Sequence, residues 1–134
     1  MLRKVDPSLY HPAERGTDAP LELTWTGTAG FNCRLGDRRL VLDPYVSRIS
    51  LLGHLKPMVP DEALVERVFP EADEVIIGHA HYDHILDAPS ICHRTGARLI
   101  GSPATANVGR AAGLPESQLV ETMGLEDIAC GPCN

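Results

Sequence analysis

The sequence has few aromatic residues and no excess of positive charge, and each shortage restricts what the protein can be. Aromatic side chains make up 4% of its 134 residues, so a core must be built mainly from Leu, Ile, Val and Ala. The formal net charge is −6, whereas a nucleic-acid-binding surface needs a basic stripe. We therefore predict one modest aliphatic core and no nucleic-acid partner.

Long apolar runs are missing as well. No stretch of the sequence approaches the ~18 consecutive apolar residues of a membrane-spanning helix. Arg3 and Lys4 place positive charge at the N-terminus, but Val5-Asp6-Pro7 follows where a signal peptide would continue with an apolar segment. The sequence thus predicts a cytoplasmic protein without a membrane span, and it leaves a homo-oligomer open.

The cysteines predict no disulfide. Cys33 alternates with polar neighbours in a predicted strand and is expected to be a small buried hydrophobe. Cys130-Gly131-Pro132-Cys133 spells the thioredoxin motif, but that chemistry needs a helix behind the motif, and one residue follows Cys133. A zinc half-site at the same two cysteines would lack a second ligand pair. We assign the motif neither role.

The pattern of apolar residues predicts a loose leader at 1–20 and one domain at 21–134, without internal repeats. Segment 44–60 is expected to be irregular, because Gly53, Pro57 and Pro60 interrupt it. The predicted strands are 21–26, 30–35, 38–42, 74–77, 98–100 and 119–120, and the predicted helices are 62–69, 88–95 and Ser102 to Gly113. Helices that alternate with strands late in the chain predict an α/β (α+β) fold, a mixed sheet with helices on one face.

Local signals support the predicted helices. Asp61 and Asp87 are each placed to cap a helix N-terminus, and Pro89 is tolerated in a first turn. Gly96 is placed to end its helix in a left-handed conformation. Near the predicted hairpin turn at Gly36-Asp37 lie three arginines that we expect to form a solvated face; these are Arg34, Arg38 and Arg39.

The segment Gly78-His79-Ala80-His81-Tyr82-Asp83-His84 concentrates three imidazoles and a carboxylate in a few residues. If the segment is extended, His79 and His81 point the same way and can share one ion. Asp83 and His84 are adjacent, so a turn is needed to aim both at a second ion. Imidazole nitrogen and carboxylate oxygen suit zinc, manganese or iron, and two ions about 3.5–4 Å apart form a hydrolytic pair. The pattern favours a metal site over a polar, His-rich surface loop.

The surroundings of the motif support this interpretation. The run 74–77 is predicted to be a buried strand, so the motif leaves the carboxyl end of a strand, where open α/β sheets tend to bind ligands. Gly78 and Ala80 are small and leave room for the backbone to approach a bound group. Tyr82 would point away from the histidines in an extended loop, which predicts packing. His54, in the irregular segment, is expected to be solvated, and His11 and His93 are expected to be ordinary surface or packing residues.

The motif at 78–84, with the upstream blocks 23–31 and 40–44, resembles the metallo-β-lactamase superfamily, from about Leu21 to about Glu121. The likeness is strongest to the branch of ascorbate-6-phosphate lactonase-like proteins and phospholipase D-type enzymes. One departure is Gly78, where the family usually has Thr or Ser. The family completes its metal site with ligands from the second half of an αββα sandwich. The resemblance therefore implies that this chain corresponds to the N-terminal half of such an enzyme.

The resemblance implies a metal-dependent hydrolase that uses metal-activated water on a small-molecule substrate, an ester, lactone or phosphodiester. His79 and His81 are the candidate ligands of a first ion, and Asp83 and His84 of a second, with zinc preferred over manganese or iron. Asp83 is also the candidate catalytic residue, orienting the attacking water or passing a proton to the leaving group. Asp43, otherwise an Asp-Pro turn residue, is expected to orient a ligand from outside the coordination sphere. The alternatives are an oxidoreductase or sulfur-handling enzyme on the same fold, and an inactive fragment or interaction module.

Overall fold

A computed structural model describes residues 21–124 and 126–129 of the chain. The predicted leader and the Cys130–Cys133 motif lie outside these residues. Six strands form one sheet in sequential order: β1 (Leu21–Gly27), β2 (Gly30–Leu35), β3 (Arg38–Leu42), β4 (Glu74–Ile76), β5 (Arg98–Gly101) and β6 (Leu119–Glu121). The α-helices are α1 (Glu62–Val68), α2 (Tyr82–Ile85), α3 (Ala88–Thr95) and α4 (Pro103–Ala111), and short 3₁₀ helices span Leu51–Leu55 and Glu116–Gln118.

The sheet is mixed, as predicted. Strands β1, β2 and β3 pair antiparallel, and β3 to β6 pair parallel. The turn between β2 and β3 uses Gly36 at φ 58°, a left-handed conformation that glycine adopts without steric cost. Because the parallel strands end at the same edge, the chain that follows β3 meets the chain that follows β4 there.

Local signals explain three of the helix ends. The Asp61 side chain accepts a hydrogen bond from the backbone N–H of Leu64 at 3.0 Å, at the start of α1. The Ser102 hydroxyl accepts from the N–H of Thr105 at 3.3 Å, at the start of α4. Gly96, at φ 76°, ends α3 in the left-handed conformation. The predicted bounds of these helices are confirmed to within one or two residues.

The core lies between one face of the sheet and helices α1, α3 and α4. Val41, Val75 and Leu99 are neighbours across β3, β4 and β5, and each is at most 1% exposed. They pack with side chains from the helices, among which Phe69 and Ile91 are fully buried. Burying each such side chain contributes about 1.5–3 kcal/mol. The predicted fold class, a mixed sheet with helices, and the predicted aliphatic core are both confirmed.

The two described cysteines are free and buried. Cys33 is on β2, as predicted. Cys92 is fully buried on α3, where desolvation raises the pKa of its thiol to about 12. Both thiols therefore behave as small apolar groups rather than nucleophiles.

On the opposite face of the sheet, the part formed by β1 and β2 is apolar and partly exposed. Leu21, Leu23 and Trp25 alternate along β1 and are 51%, 58% and 42% exposed. Their neighbours across the hairpin, such as Phe31 opposite Trp25, are also apolar. None of the helices in the described ranges is long and apolar enough to cross a membrane.

The prediction of a solvated arginine face was wrong for Arg38. Its side chain pairs with the buried carboxylate of Glu74 and lies 3.4 Å from Asp73. The parallel register also brings Arg98 beside Glu74, at 2.9 Å. These partners are distant in sequence, so sequence periodicity does not report them.

Segment 44–60 is irregular, as predicted, except at residues 51–55. These form a short 3₁₀ helix that the Ser50 side chain caps.

Candidate metal centre

The H-x-H-x-D-H motif leaves the carboxyl end of β4, as predicted. Ile77 continues the strand's hydrogen bonding, donating to the carbonyl of Ile100 at 2.9 Å, and the chain bends from Gly78 onward. Asp43 follows β3 at the same edge, and its N–H donates to the Ile76 carbonyl at 3.0 Å. The sheet thus places Asp43 beside the motif.

The two leading histidines are brought together by a turn and not by an extended segment. The N–H of His81 donates to the carbonyl of His79 at 3.0 Å, which closes a three-residue turn. His81 is also the N-cap of α2, accepting at its carbonyl from Ile85 at 3.0 Å. The segment is thus not extended throughout, although the backbone of His81 itself is (φ −81°, ψ 151°). The rings nevertheless converge, with centroids 4.5 Å apart.

Helix α2 carries Asp83 and His84. It is the turn that we expected to be needed for both side chains to face the same site. The His84 ring lies 3.9 Å from that of His79, centroid to centroid. The Nε2 atom of His84 is 3.8 Å from Oδ2 of Asp83. Contacts therefore link all four predicted ligands into one cluster of nitrogen and oxygen donors.

Asp43 joins this cluster from the neighbouring strand. Its Oδ2 lies 3.2 Å from Nδ1 of His84, and its Oδ1 accepts from the N–H of Gly78 at 2.7 Å. Nδ1 of His84 is buried and has no hydrogen bond of good geometry among the described residues. The carboxylate is within reach of the imidazole but is not aligned with it. Asp43 therefore lies beside the His84 ring, and its role in orienting that ring stays a prediction.

Gly78 has a structural reason to differ from the Thr or Ser usual in the resembled family. A Cβ atom built on Gly78 would lie 3.2 Å from Oδ2 of Asp43, closer than ordinary van der Waals contact. The Gly78 N–H is already bonded to the other oxygen of that carboxylate. A side chain here would crowd Asp43 unless the carboxylate moved by a few tenths of an ångström.

The donor types fit a transition-metal ion, but the donors do not yet surround one. Three imidazoles and a carboxylate are the ligands that zinc, manganese and iron accept, and one buried imidazole nitrogen lacks a satisfactory partner. Within residues 21–124 and 126–129, however, no group of three or more His, Cys, Asp or Glu side chains is arranged to hold a metal ion as it stands. The rings of His79 and His84 pack against each other, tilted by 50°. The ligand assignment stays a prediction.

An aromatic cluster flanks the motif. Tyr82, on α2, makes edge contacts with the rings of Tyr45 at 5.9 Å and His54 at 5.0 Å. Nδ1 of His54 also lies 2.9 Å from the carbonyl of Ser50. His54 is exposed, but it packs on the motif helix and is not simply solvated. Tyr82 packs, as predicted, and holds the 3₁₀ helix at 51–55 beside the site.

Sequence reasoning missed the role of Asp87. Asp87 occupies the N-cap position of α3, as predicted, but its side chain makes no capping bond, so that part of the prediction was wrong. The fully buried carboxylate instead accepts from the N–H groups of Val46 and Ser47. An Asp directly before an apolar helix is typical of an N-cap. Its hydrogen bonds to loop 44–50 could not be predicted, because that loop is distant in sequence and comes close only in the fold.

A groove of about 460 Å³ lies away from the motif. It is lined by β1, β2 and β3 and the end of α1, through residues that include Asn32, Arg34 and Arg67. None of the four motif ligands lines it. The chemistry of the donors, rather than the size of this groove, makes the motif the candidate site.

Known protein families and individual proteins of similar sequence match the part of the chain that carries the motif. Residues 38–130 match the family model described as a beta-lactamase superfamily domain. The chain is 34% identical over 105 residues to a "UPF0173 metal-dependent hydrolase" of Anaeromyxobacter sp. (strain K), covering 77% of this chain and 35% of that protein. A Methanopyrus kandleri protein of the same description is 31% identical over 113 residues, covering 79% and 44%.

A solved structure is also similar. Igni18, described as a novel metallo hydrolase from the hyperthermophilic archaeon Ignicoccus hospitalis, aligns with a TM-score of 0.52 and 25% identity, over 76% of this chain and 39% of that one. The chain spans well under half the length of these similar proteins. The family model covers more than half of the chain, including the sheet from β3 onward and the whole motif. The chain belongs to the metallo-β-lactamase superfamily, and its described residues correspond to the N-terminal part of that fold.

Proposed function

We propose that the full-length protein is a metal-dependent hydrolase whose metal site includes His79, His81, Asp83 and His84. The observation that carries the proposal is the convergence of these four side chains at the carboxyl edge of β4. Clustered imidazoles and a carboxylate at a sheet edge contribute little to a core, and a metal ion gives them a common partner. The description of the similar proteins as metal-dependent hydrolases supports the same activity.

Each side chain has a distinct part in the proposal. His79 and His81 hold one ion, and Asp83 and His84 hold a second, with zinc the preferred metal. When bound, the ions supply Lewis-acid chemistry that activates water and stabilises negative charge on the substrate. The Asp83 side chain is 37% exposed, so it remains accessible to water and can pass a proton to a leaving group. Asp43 fixes the orientation of His84.

The substrate we propose is a small ester, lactone or phosphodiester. All three present a carbonyl or phosphoryl oxygen that a cationic site can polarise. We also propose that further ligands come from the remainder of the full-length protein, because the four described donors do not enclose an ion. The similar proteins are more than twice as long as the segment that matches them.

The experiment uses full-length protein, because the chain spans only part of its relatives. Elemental analysis should find about two transition-metal ions per chain. His81→Ala should lose both metal and turnover of a lactone, ester or phosphodiester panel. His93→Ala is the matched control, because His93 contacts the Ala112 carbonyl away from the motif. A metal-free His81→Ala variant that still turns over substrate would contradict the proposal.

A further inference from the structure

We propose that Asp87 is a positioning residue for the metal centre. Asp87 binds the loop at Val46 and Ser47, which follows Asp43, and holds it against the chain after helix α2. This contact keeps the Asp43 carboxylate beside the His84 ring. This inference rests on the proposed function, because it assigns Asp87 a role in the same site. Asp87 is not itself proposed as a ligand.

The first support is the burial and bonding of the Asp87 carboxylate. The residue is fully buried, and a buried carboxylate is costly unless donors satisfy it. Oδ2 accepts from the N–H of Val46 at 2.6 Å and from that of Ser47 at 3.0 Å. Oδ1 accepts from the Ser47 hydroxyl at 2.5 Å. Three donors from one loop converge on this carboxylate, so it holds the loop in a defined position.

The second support is that both ends of this contact lie close to the site. Asp87 follows His84 by three residues, and Val46 follows Asp43 by three residues. The two residues between Asp43 and Val46 are buried, and one is Pro44, whose ring fixes its φ angle. Movement of Val46 is therefore transmitted to Asp43 by a short, stiff connection.

The third support is the backbone of Asp43 itself. Its φ angle is +42°, a left-handed conformation that is uncommon for residues other than glycine, although Asp and Asn adopt it more often than most. Such a conformation persists only where the surrounding structure holds it. On one side the Asp43 N–H is bonded to Ile76, and on the other the loop is bonded to Asp87. Removing the second restraint lets the backbone relax and moves the carboxylate away from His84.

Ser47 extends the contact to a third segment. Its hydroxyl donates to Asp87 and accepts from the backbone N–H of Asp61 at 2.7 Å, immediately before α1. The junction thus joins the loop, the start of α3 and the start of α1. Ser47→Ala removes the side-chain bonds of this junction but leaves both backbone bonds to Asp87.

The test measures metal affinity of the full-length holoenzyme by competition with a chelator. Asp87→Asn keeps the size of the side chain and removes its charge, and it should weaken metal binding about ten-fold or more. Ser47→Ala should weaken it less, and it carries the test if Asp87→Asn does not fold. Ser102→Ala is the control: it removes the α4 cap, destabilises the fold, and should leave metal affinity unchanged.

A double substitution separates positioning from a merely structural role. If Asp87 acts through Asp43, then Asp87→Asn in an Asp43→Asn background should change metal affinity by less than about two-fold. A full ten-fold loss in that background, or unchanged affinity in both Asp87→Asn and Ser47→Ala, overturns the inference. Metal retained in His81→Ala would instead overturn the proposed function, so the two failures are distinguishable.

Discussion

Asp43 and His84 lie at the ends of different elements, yet Oδ2 of one is 3.2 Å from Nδ1 of the other. Asp43 directly follows β3, and His84 lies on the short helix α2, which comes after β4. The same carboxylate accepts from the N–H of Gly78, so it contacts both ends of the motif. A carboxylate behind a histidine fixes the ring and raises its basicity as a ligand.

Asp43→Asn should weaken metal binding by the full-length protein about 10–100-fold, as is typical of a carboxylate that supports a ligating histidine. The amide oxygen can still accept from Gly78, so the fold should be retained. Asp37→Asn, at the exposed hairpin turn, is the matched control. Metal affinity is measured by chelator competition, and equal affinities for the two variants would contradict the role assigned to Asp43.

The Cys92 thiol should resist alkylation in the folded protein. Its pKa is raised to about 12 by burial, against 9.0 for the ordinary thiol, so the reactive thiolate is scarce near neutral pH. The unfolded chain loses this proton at a lower pH than the folded protein does. The free energy of unfolding should therefore fall as the pH rises above about 9. Labelling with iodoacetamide, followed by mass spectrometry, checks the prediction. Rapid modification of Cys92 under native conditions would contradict it.

Glu74→Gln should lower the free energy of unfolding by about 2 kcal/mol. It removes a buried carboxylate and leaves Arg38 and Arg98 without their shared partner. The cost stays below that of a fully buried pair because both arginines are partly exposed. Glu71→Gln, which breaks the exposed pair with Arg39, is the control and should cost less than about 1 kcal/mol. Chemical denaturation of the full-length variants gives both values, and equal losses would refute the prediction.

The 134-residue chain produced alone should bind metal weakly, show no useful hydrolysis, and aggregate or dimerise. The exposed apolar side chains of Leu21 and Leu23, and the edge strands β1 and β6 of the described sheet, favour self-association. Leu23→Ser should reduce self-association, which light scattering measures. Arg34→Ser, on the same hairpin, is the control and should leave self-association unchanged. Turnover of about 1 s⁻¹ or more by the isolated chain would show that it is catalytically sufficient.

Much of the fold could be predicted because its signals are local. Gly36 demands a left-handed turn, Ser102 and Asp61 cap their helices, and Gly96 ends another. Alternation of apolar residues predicted the strands, and the order of strands and helices predicted a mixed sheet. The position of the motif at the end of β4 followed from the same pattern, because a strand and the residues after it are contiguous in the chain.

Only the tertiary structure decided which polar groups meet. Asp87 carries a local signal for a helix cap, but a loop that approaches from β3 takes its carboxylate. Arg38 carries the signal of a solvated turn, but the register of parallel strands places it on buried Glu74. His79 and His81 converge through a three-residue turn closed by a hydrogen bond between their backbones. The physical reason is common to all three: a charge or a hydrogen bond is satisfied by whichever partner lies nearest in space, and chain separation does not limit that choice.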